Sequence, residues 1–310
     1  MNTTRKYQQG SPWPSGNHPQ VLFILDTCNS FEQDLLKGWI EQHRESGGTA
    51  AQTVCVDLSD DHRSIDSVLL VNALTLPIDT VVAPLRIAWL PSQESIHSGP
   101  RLRDLIFGDP RHPNPRRGRQ ILKTSPQRMH LLSGKPDSVA NLRARFELHH
   151  KIDNGDSQRD FADFVARQAS VVLDLAERRL QGGRYKVPRY VAANLMASSS
   201  YNEALDTLSA ESGIAKAQLV KDAKGYLDEM VSRPSMFWLD VYAKFNKFCL
   251  GLGYEAEIVC DQEVVEKLRQ IVREYPSMLL WTHKTYLDGM VLPKLLYDND
   301  FPMPHLFGGA

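Results

Sequence analysis

Apolar and polar positions along this chain fall into blocks, and the period of those blocks changes about halfway. Val21 to Asp26 (Val-Leu-Phe-Ile-Leu-Asp) is a continuous apolar run closed by an acid, as in a buried strand. The Thr-Cys-Asn-Ser cluster behind it supplies helix-capping side chains. The spacing predicts a helix over 31–43, with Leu35, Leu36, Trp39 and Ile40 on one face and Gly47-Gly48 as its stop. Thr53 to Asp57 follows as a second strand, 64–73 as a weaker helix and 80–89 as a long strand. Strands alternating with helices predict a parallel sheet. Asp26 with Thr27 stands where a phosphoryl-transfer nucleophile can sit. No acid and lysine partners for such chemistry stand out, so the pair reads as a helix-capping strand end and is assigned no catalysis.

Between Arg101 and Arg128, seven arginines and Lys123 stand against Asp104 and Asp109, a local charge of +6. Pro110, Pro113 and Pro115 make the middle of this segment a loop. Two readings stay open, a contact for anionic lipid or an acidic protein, and a solvated basic loop. A strand at 129–132 meets Gly134-Lys135-Pro136-Asp137-Ser138, a connection into a helix that ends near Glu147. From His149 to Asp156, with Asn154-Gly155, the chain reads as a domain boundary. Beyond it the period becomes about 3.6, with Phe161, Phe164, Val165, Ala169, Val172, Leu173 and Ala176 on one stripe, and helices follow over 190–208 and 217–231. The segment from Ser235 to Gly251 carries large apolar residues with Lys244 and Lys247 among them, which fits an interfacial helix or a core helix of the bundle. A strand at 254–259, a helix at 262–273 and a strand at 277–281 close the pattern.

This predicts an α/β protein in four parts. They are a disordered lead-in over 1–20, an N-terminal α/β domain over 21–150, a helical bundle over 151–250, and the beginning of a further α/β domain over 251–310. Composition and charge narrow the function. A net charge of −1 over 310 residues gives no general attraction to nucleic acid or to acidic membranes, so any such partner must use a local patch. Cys28, Cys55, Cys249 and Cys260 lack metal-ligand or paired spacing, which suits a reducing cytosol. The first twenty residues lack a signal-peptide core, and no stretch has the length and hydropathy of a spanning helix. Contact with a membrane would therefore be peripheral.

The candidate chemistry lies in Leu280-Trp281-Thr282-His283-Lys284-Thr285-Tyr286-Leu287-Asp288-Gly289. A continuous helix would set His283 and Asp288 about 140° apart, so they meet only if His283 precedes the helix. With His283 in the strand-to-helix turn and Asp288 in the first helical turn, the carboxylate reaches one ring nitrogen and leaves the other free as a base. Such a pair takes the proton from an attacking hydroxyl and needs no metal, no cofactor and no acyl-enzyme intermediate. Thr285-x-x-Asp288 is also a helix-start pattern, and the two roles are compatible. Pro293 falls inside the same helix and is expected to kink it near Gly289.

This His-x4-Asp setting resembles the first motif of the glycerolipid acyltransferases. Pro84-Leu85-Arg86-Ile87-Ala88-Trp89-Leu90-Pro91, Arg101-Leu102-Arg103-Asp104-Leu105, Gly108-Asp109-Pro110-Arg111, Arg184-Tyr185-Lys186-Val187-Pro188-Arg189 and Tyr226-Leu227-Asp228-Glu229-Met230 look like the bacterial membrane-associated glycerol-3-phosphate acyltransferases, most similar to their actinobacterial form. The resemblance implies His283 as base and Asp288 as its orienter. It implies transfer of a fatty acyl group from acyl-CoA or acyl-carrier protein to the sn-1 hydroxyl of glycerol 3-phosphate. The product is lysophosphatidic acid, the first step of phospholipid synthesis, made at the cytoplasmic face of the cell membrane. It also implies further motifs, including arginine contacts to the phosphate, of which this chain has none after Gly308-Gly309-Ala310, so a truncated acyltransferase domain is expected. Two alternatives stay open, a non-catalytic interaction or scaffold module and a glycerolipid acyltransferase with another acceptor.

Overall fold

The computed structural model describes residues 10–44, 50–58, 67–75, 77–92, 104, 108–149, 157–181, 191–196, 198–230, 235–255, 258–275, 277–280, 282 and 284–303. The protein is mixed α/β and divides into two units, one formed by 1–90, 110–179 and 188–232, the other by 91–109, 180–187 and 233–310.

In the first unit, strands β1 (Gln20–Asp26), β2 (Ala50–Val56), β3 (Val81–Trp89) and β4 (Met129–Ser133) form a sheet in the order β2-β1-β3-β4, with the short β5 (Asp137–Ser138) also on β3. β1 pairs with β2 and β3 in parallel, and β4 and β5 run antiparallel to β3. Every residue of β3 is buried, as expected of a central strand covered on both faces. One face is covered by α1 (Ser30–Gln42), whose Leu36, Trp39 and Ile40 pack on Val21, Phe23 and Leu25, and by Ile121 of α3 (Pro115–Thr124). The other face is covered by α2 (Ser67–Leu74), α4 (Val139–His149) and α5 (Ser157–Gln181).

Three expectations are corrected here. Residues 10–19 are no floppy lead-in, because the Trp13 indole donates to the Ile40 carbonyl at 3.0 Å and its ring stands edge-on to Phe23. From Gly108 on, the basic segment is a loop only as far as Asn114 and a helix over 115–124, since Asn114 caps it through the Arg117 N–H and Pro115 suits a first helical turn that needs no N–H. And α5 opens no separate bundle. Its apolar stripe, Phe161, Val165, Ala169 and Leu173, lies on Leu22, Ile24 and Val82 of the sheet.

A buried ion network fixes α5 there. Asp26 and Arg86 are register partners on β1 and β3. The Arg86 guanidinium donates to Asp26 at 2.5 Å, to Asp174 at 2.6 Å and to Glu177 at 2.9 Å, the last two on α5. Burial alone would push the Arg86 pKa down, but the three carboxylates more than offset it and raise it. The other Asp26 oxygen accepts from the Leu58 N–H at 2.8 Å, so this carboxylate is committed to structure. Three further helices of this unit, α6 (Val191–Met196), α7 (Ser199–Ser212) and α8 (Lys216–Met230), pack on one another, with Ser198 capping α7 and Gly213 ending it at a left-handed φ of 71°. The expected single helix over 190–208 is thus two.

The second unit contains α9 (Met236–Gly251), α10 (Gln262–Glu274) and α11 (Asp288–Asp298). Val265, Leu296 and Phe301 form its small core, with Leu268, Val272 and Leu292 at the edge. The expected strands at 254–259 and 277–281 do not form among the described residues. Their apolar side chains find no sheet neighbours, and Val259 is 94% and Leu280 89% exposed.

Candidate active site

The predicted base, His283, lies outside the described residues. Its predicted orienter, Asp288, is the first residue of α11, three residues later than the helix start expected at Thr285. One Asp288 oxygen accepts from the backbone N–H groups of Lys284 at 2.7 Å and Thr285 at 2.9 Å. The other accepts from the Thr285 hydroxyl at 3.3 Å, and that hydroxyl accepts from the Leu287 N–H at 3.2 Å. Thr285 and Asp288 thus close a reciprocal cap on the turn that leads into the helix, each side chain accepting from backbone N–H groups of residues 284–287, while Leu287, the residue that caps α11 itself, makes no side-chain cap bond. The negative carboxylate also lies where the helix dipole favours it.

The cap has a chemical consequence. The Lys284 N–H belongs to the peptide bond directly after residue 283, so the carboxylate is drawn back from the helix toward the residues that follow that position. The sharp turn at 285–287 makes that return possible.

Elsewhere in the second unit, toward the far end of α11 and along α9, lie cations and aromatic surface. Lys294 of α11 is buried and ion-paired with Asp298, one turn on. A cavity of ≈ 380 Å³ brings Lys294 together with Lys247 of α9, Gln262 of α10 and Asn299. The Tyr297 hydroxyl donates to Asp240 of α9 at 2.6 Å. On α9, Phe237, Asp240, Asn246 and Leu250 are buried, while Trp238, Phe245 and Phe248 are exposed.

The basic segment is partly structural. Arg101 and Arg103 lie outside the described residues, Arg111 is buried, and Arg128 donates to the Leu90 carbonyl at 2.8 Å. Arg116, Arg119 and Lys123 remain exposed along α3, with the Arg119 guanidinium 5.1 Å from the centre of the Phe31 ring. Among the described residues no helix is long and apolar enough to cross a membrane.

With this geometry in hand, the similarities to known proteins bear on the site. The putative acyltransferase plsB1 of Mycobacterium tuberculosis is 28% identical over 110 residues, 36% of this chain and 17% of that protein, and its Mycobacterium bovis counterpart gives the same figures. The dihydroxyacetone phosphate acyltransferase of Mus musculus is 27% identical over 125 residues, 39% of this chain and 18% of that protein. The chain resembles acyltransferases over about a third of its length. It spans less than a fifth of the length of these relatives. No family model and no solved structure matches it.

Proposed function

We propose that this chain carries the acyl-transfer base of a glycerol-3-phosphate 1-O-acyltransferase. The observation that carries the reading is the Asp288 carboxylate turned back onto the residues that follow His283, in a chain similar to acyltransferases. In this reading neutral His283 accepts the proton of the sn-1 hydroxyl as that oxygen attacks the thioester carbonyl of acyl-CoA or acyl-carrier protein. Asp288 orients the imidazole and steadies the imidazolium. The tetrahedral intermediate collapses, the ester forms, the thiolate leaves, and the imidazolium returns the proton to it.

Site residues for the acceptor phosphate and the oxyanion are not assigned in this chain, and those contributions normally match or exceed that of the base. The exposed Trp238, Phe245 and Phe248 with Lys244 and Lys247 suit a peripheral contact with an anionic membrane at its cytoplasmic face, and in the first unit the exposed Arg116, Arg119 and Lys123 offer a separate basic patch. Sedimentation with anionic vesicles at low salt tests this, and a protein that stays in the supernatant argues against it.

A second acceptor is favoured by a specific observation, the mouse relative's name as a dihydroxyacetone phosphate acyltransferase. Release of free CoA from palmitoyl-CoA with each acceptor separates the two readings. No release with either acceptor, from a protein that contains this chain, would overturn both and leave the non-catalytic scaffold module.

A further inference from the structure

Pro293 lies in the middle of α11, where it removes one helical hydrogen bond. The carbonyl that loses its donor is the one four residues back, that of Gly289. A proline ring also crowds that carbonyl and turns it outward. In the structure the Tyr242 hydroxyl, on α9, donates to the Gly289 carbonyl at 3.2 Å. Gly289 immediately follows Asp288, whose carboxylate holds the Lys284 and Thr285 N–H groups.

The two ends of α11 differ in what steadies them. The far end is anchored by the buried Leu296, by Phe301 and by the Tyr297 to Asp240 bond. The near end has a glycine at its second position, which costs helix stability, and its space is open enough that no packing demands a glycine there. Proline then takes away one of its few hydrogen bonds. An outside donor to Gly289 therefore matters more here than in an ordinary helical turn.

We propose that Tyr242 is a positioning residue. Its hydroxyl replaces the hydrogen bond that Pro293 removes and so holds the first turn of α11, with Asp288 and its cap on residues 284–285, against α9. The catalytic meaning of this arrangement rests on the acyltransferase reading, whereas the mechanical coupling stands without it.

The test is amide hydrogen exchange in the 310-residue chain, read at Lys284 and Thr285. A half-exposed hydrogen bond is worth about 0.5–1.5 kcal/mol, or roughly a three- to tenfold change in exchange. Tyr242→Phe should speed exchange at both amides by about that factor and leave Asn299, whose N–H bonds the Leu295 carbonyl at the far end, unchanged. Asp288→Asn serves as the positive control for the cap. In a Pro293→Ala background the backbone N–H returns, so Tyr242→Phe should then have no effect on Lys284 or Thr285. Gly289→Ala, which strengthens the turn from within, should likewise shrink the effect if Pro293→Ala fails to fold. Unchanged exchange in Tyr242→Phe, or an equal loss in the backgrounds with and without Pro293, would overturn the proposal. In the acyl-transfer assay of a complete protein, Tyr242→Phe should lower kcat with little change in KM, and Pro293→Ala should restore it. Unchanged acyl transfer in Tyr242→Phe, with the predicted exchange pattern observed, would count against the acyltransferase reading alone.

Discussion

The sheet unit and the second unit are written with the same ingredients, apolar runs alternating with amphipathic helices, yet they treat their apolar residues differently. In the sheet unit each strand has a hydrogen-bonded neighbour, and both faces of β3 are sealed by helices. In the second unit Val259 and the run at 278–280 are as apolar, but their side chains face solvent. A strand is a cooperative object, because its backbone groups and both its faces need partners at once. An apolar run is therefore only half of a strand. The same contrast holds for charge, since Arg86 is enclosed with three carboxylates while the Arg269 to Glu266 pair lies at a helix surface.

That contrast breaks most sharply at Arg86. Arg86→Ala leaves Asp26, Asp174 and Glu177 buried without their cation and is expected to cost about 3–5 kcal/mol, read by urea denaturation followed through Trp39 and Trp89 fluorescence. Removing the surface pair through Glu266→Ala, which leaves the Arg269 bond to the Asn299 carbonyl in place, should cost under about 1 kcal/mol. An equal cost at the two sites would erase the distinction between the units. Next in size is the packing difference. Leu36→Ala should cost about 2–5 kcal/mol, whereas Leu280→Ser should stay within about 0.5 kcal/mol and reduce aggregation seen by light scattering. A smaller gain is expected at Asn246, which is buried in α9 with neither amide atom hydrogen-bonded among the described residues. Asn246→Leu should stabilise the second unit by about 1–2 kcal/mol in thermal unfolding, because it removes an uncompensated polar group. A loss of stability there would mean that the amide has a partner when the protein is at work.

The smallest effect concerns pH. Burial raises the Glu32 pKa above 4.5, although the Cys28 N–H and the Trp89 indole, both donating to it, pull the other way. A carboxyl whose folded pKa is raised favours folding when protonated, so its contribution is present below the unfolded value and is lost as pH rises through the folded one. The stability of the native chain should therefore fall relative to Glu32→Gln as pH rises above 4.5. Parallel pH curves for the two proteins would contradict this.

Much of the sheet unit was legible in the chain because periodicity and burial agree there. The run 80–89 needs no unusual partner, and α1 is announced by its cap, its apolar stripe and its glycines. The helix α3 was hidden by counting Pro110, Pro113 and Pro115 as breakers together, although Asn114-Pro115 carries the signature of a helix start. The seat of α5 was hidden for another reason. A 3.6-residue stripe says that a helix buries one face, and says nothing of whether a sheet or other helices cover it. Only Arg86, a charge inside an otherwise apolar strand, signals that acids must come to it from elsewhere. At the candidate site the helix-start pattern of Thr285 and Asp288 was readable. Tyr242 was not, because its role depends on a carbonyl that a proline 51 residues later in the chain sets free.

The central claim is that His283, oriented by Asp288, is the base of an acyl transfer. It is tested most directly by turnover of palmitoyl-CoA with glycerol 3-phosphate in a complete, active protein containing this chain, measured as CoA release with and without His283→Ala. The account predicts a loss of about 10²- to 10⁴-fold in kcat, with Asp288→Ala also strongly impaired and binding of glycerol 3-phosphate preserved in both. Near-normal turnover in His283→Ala would contradict it.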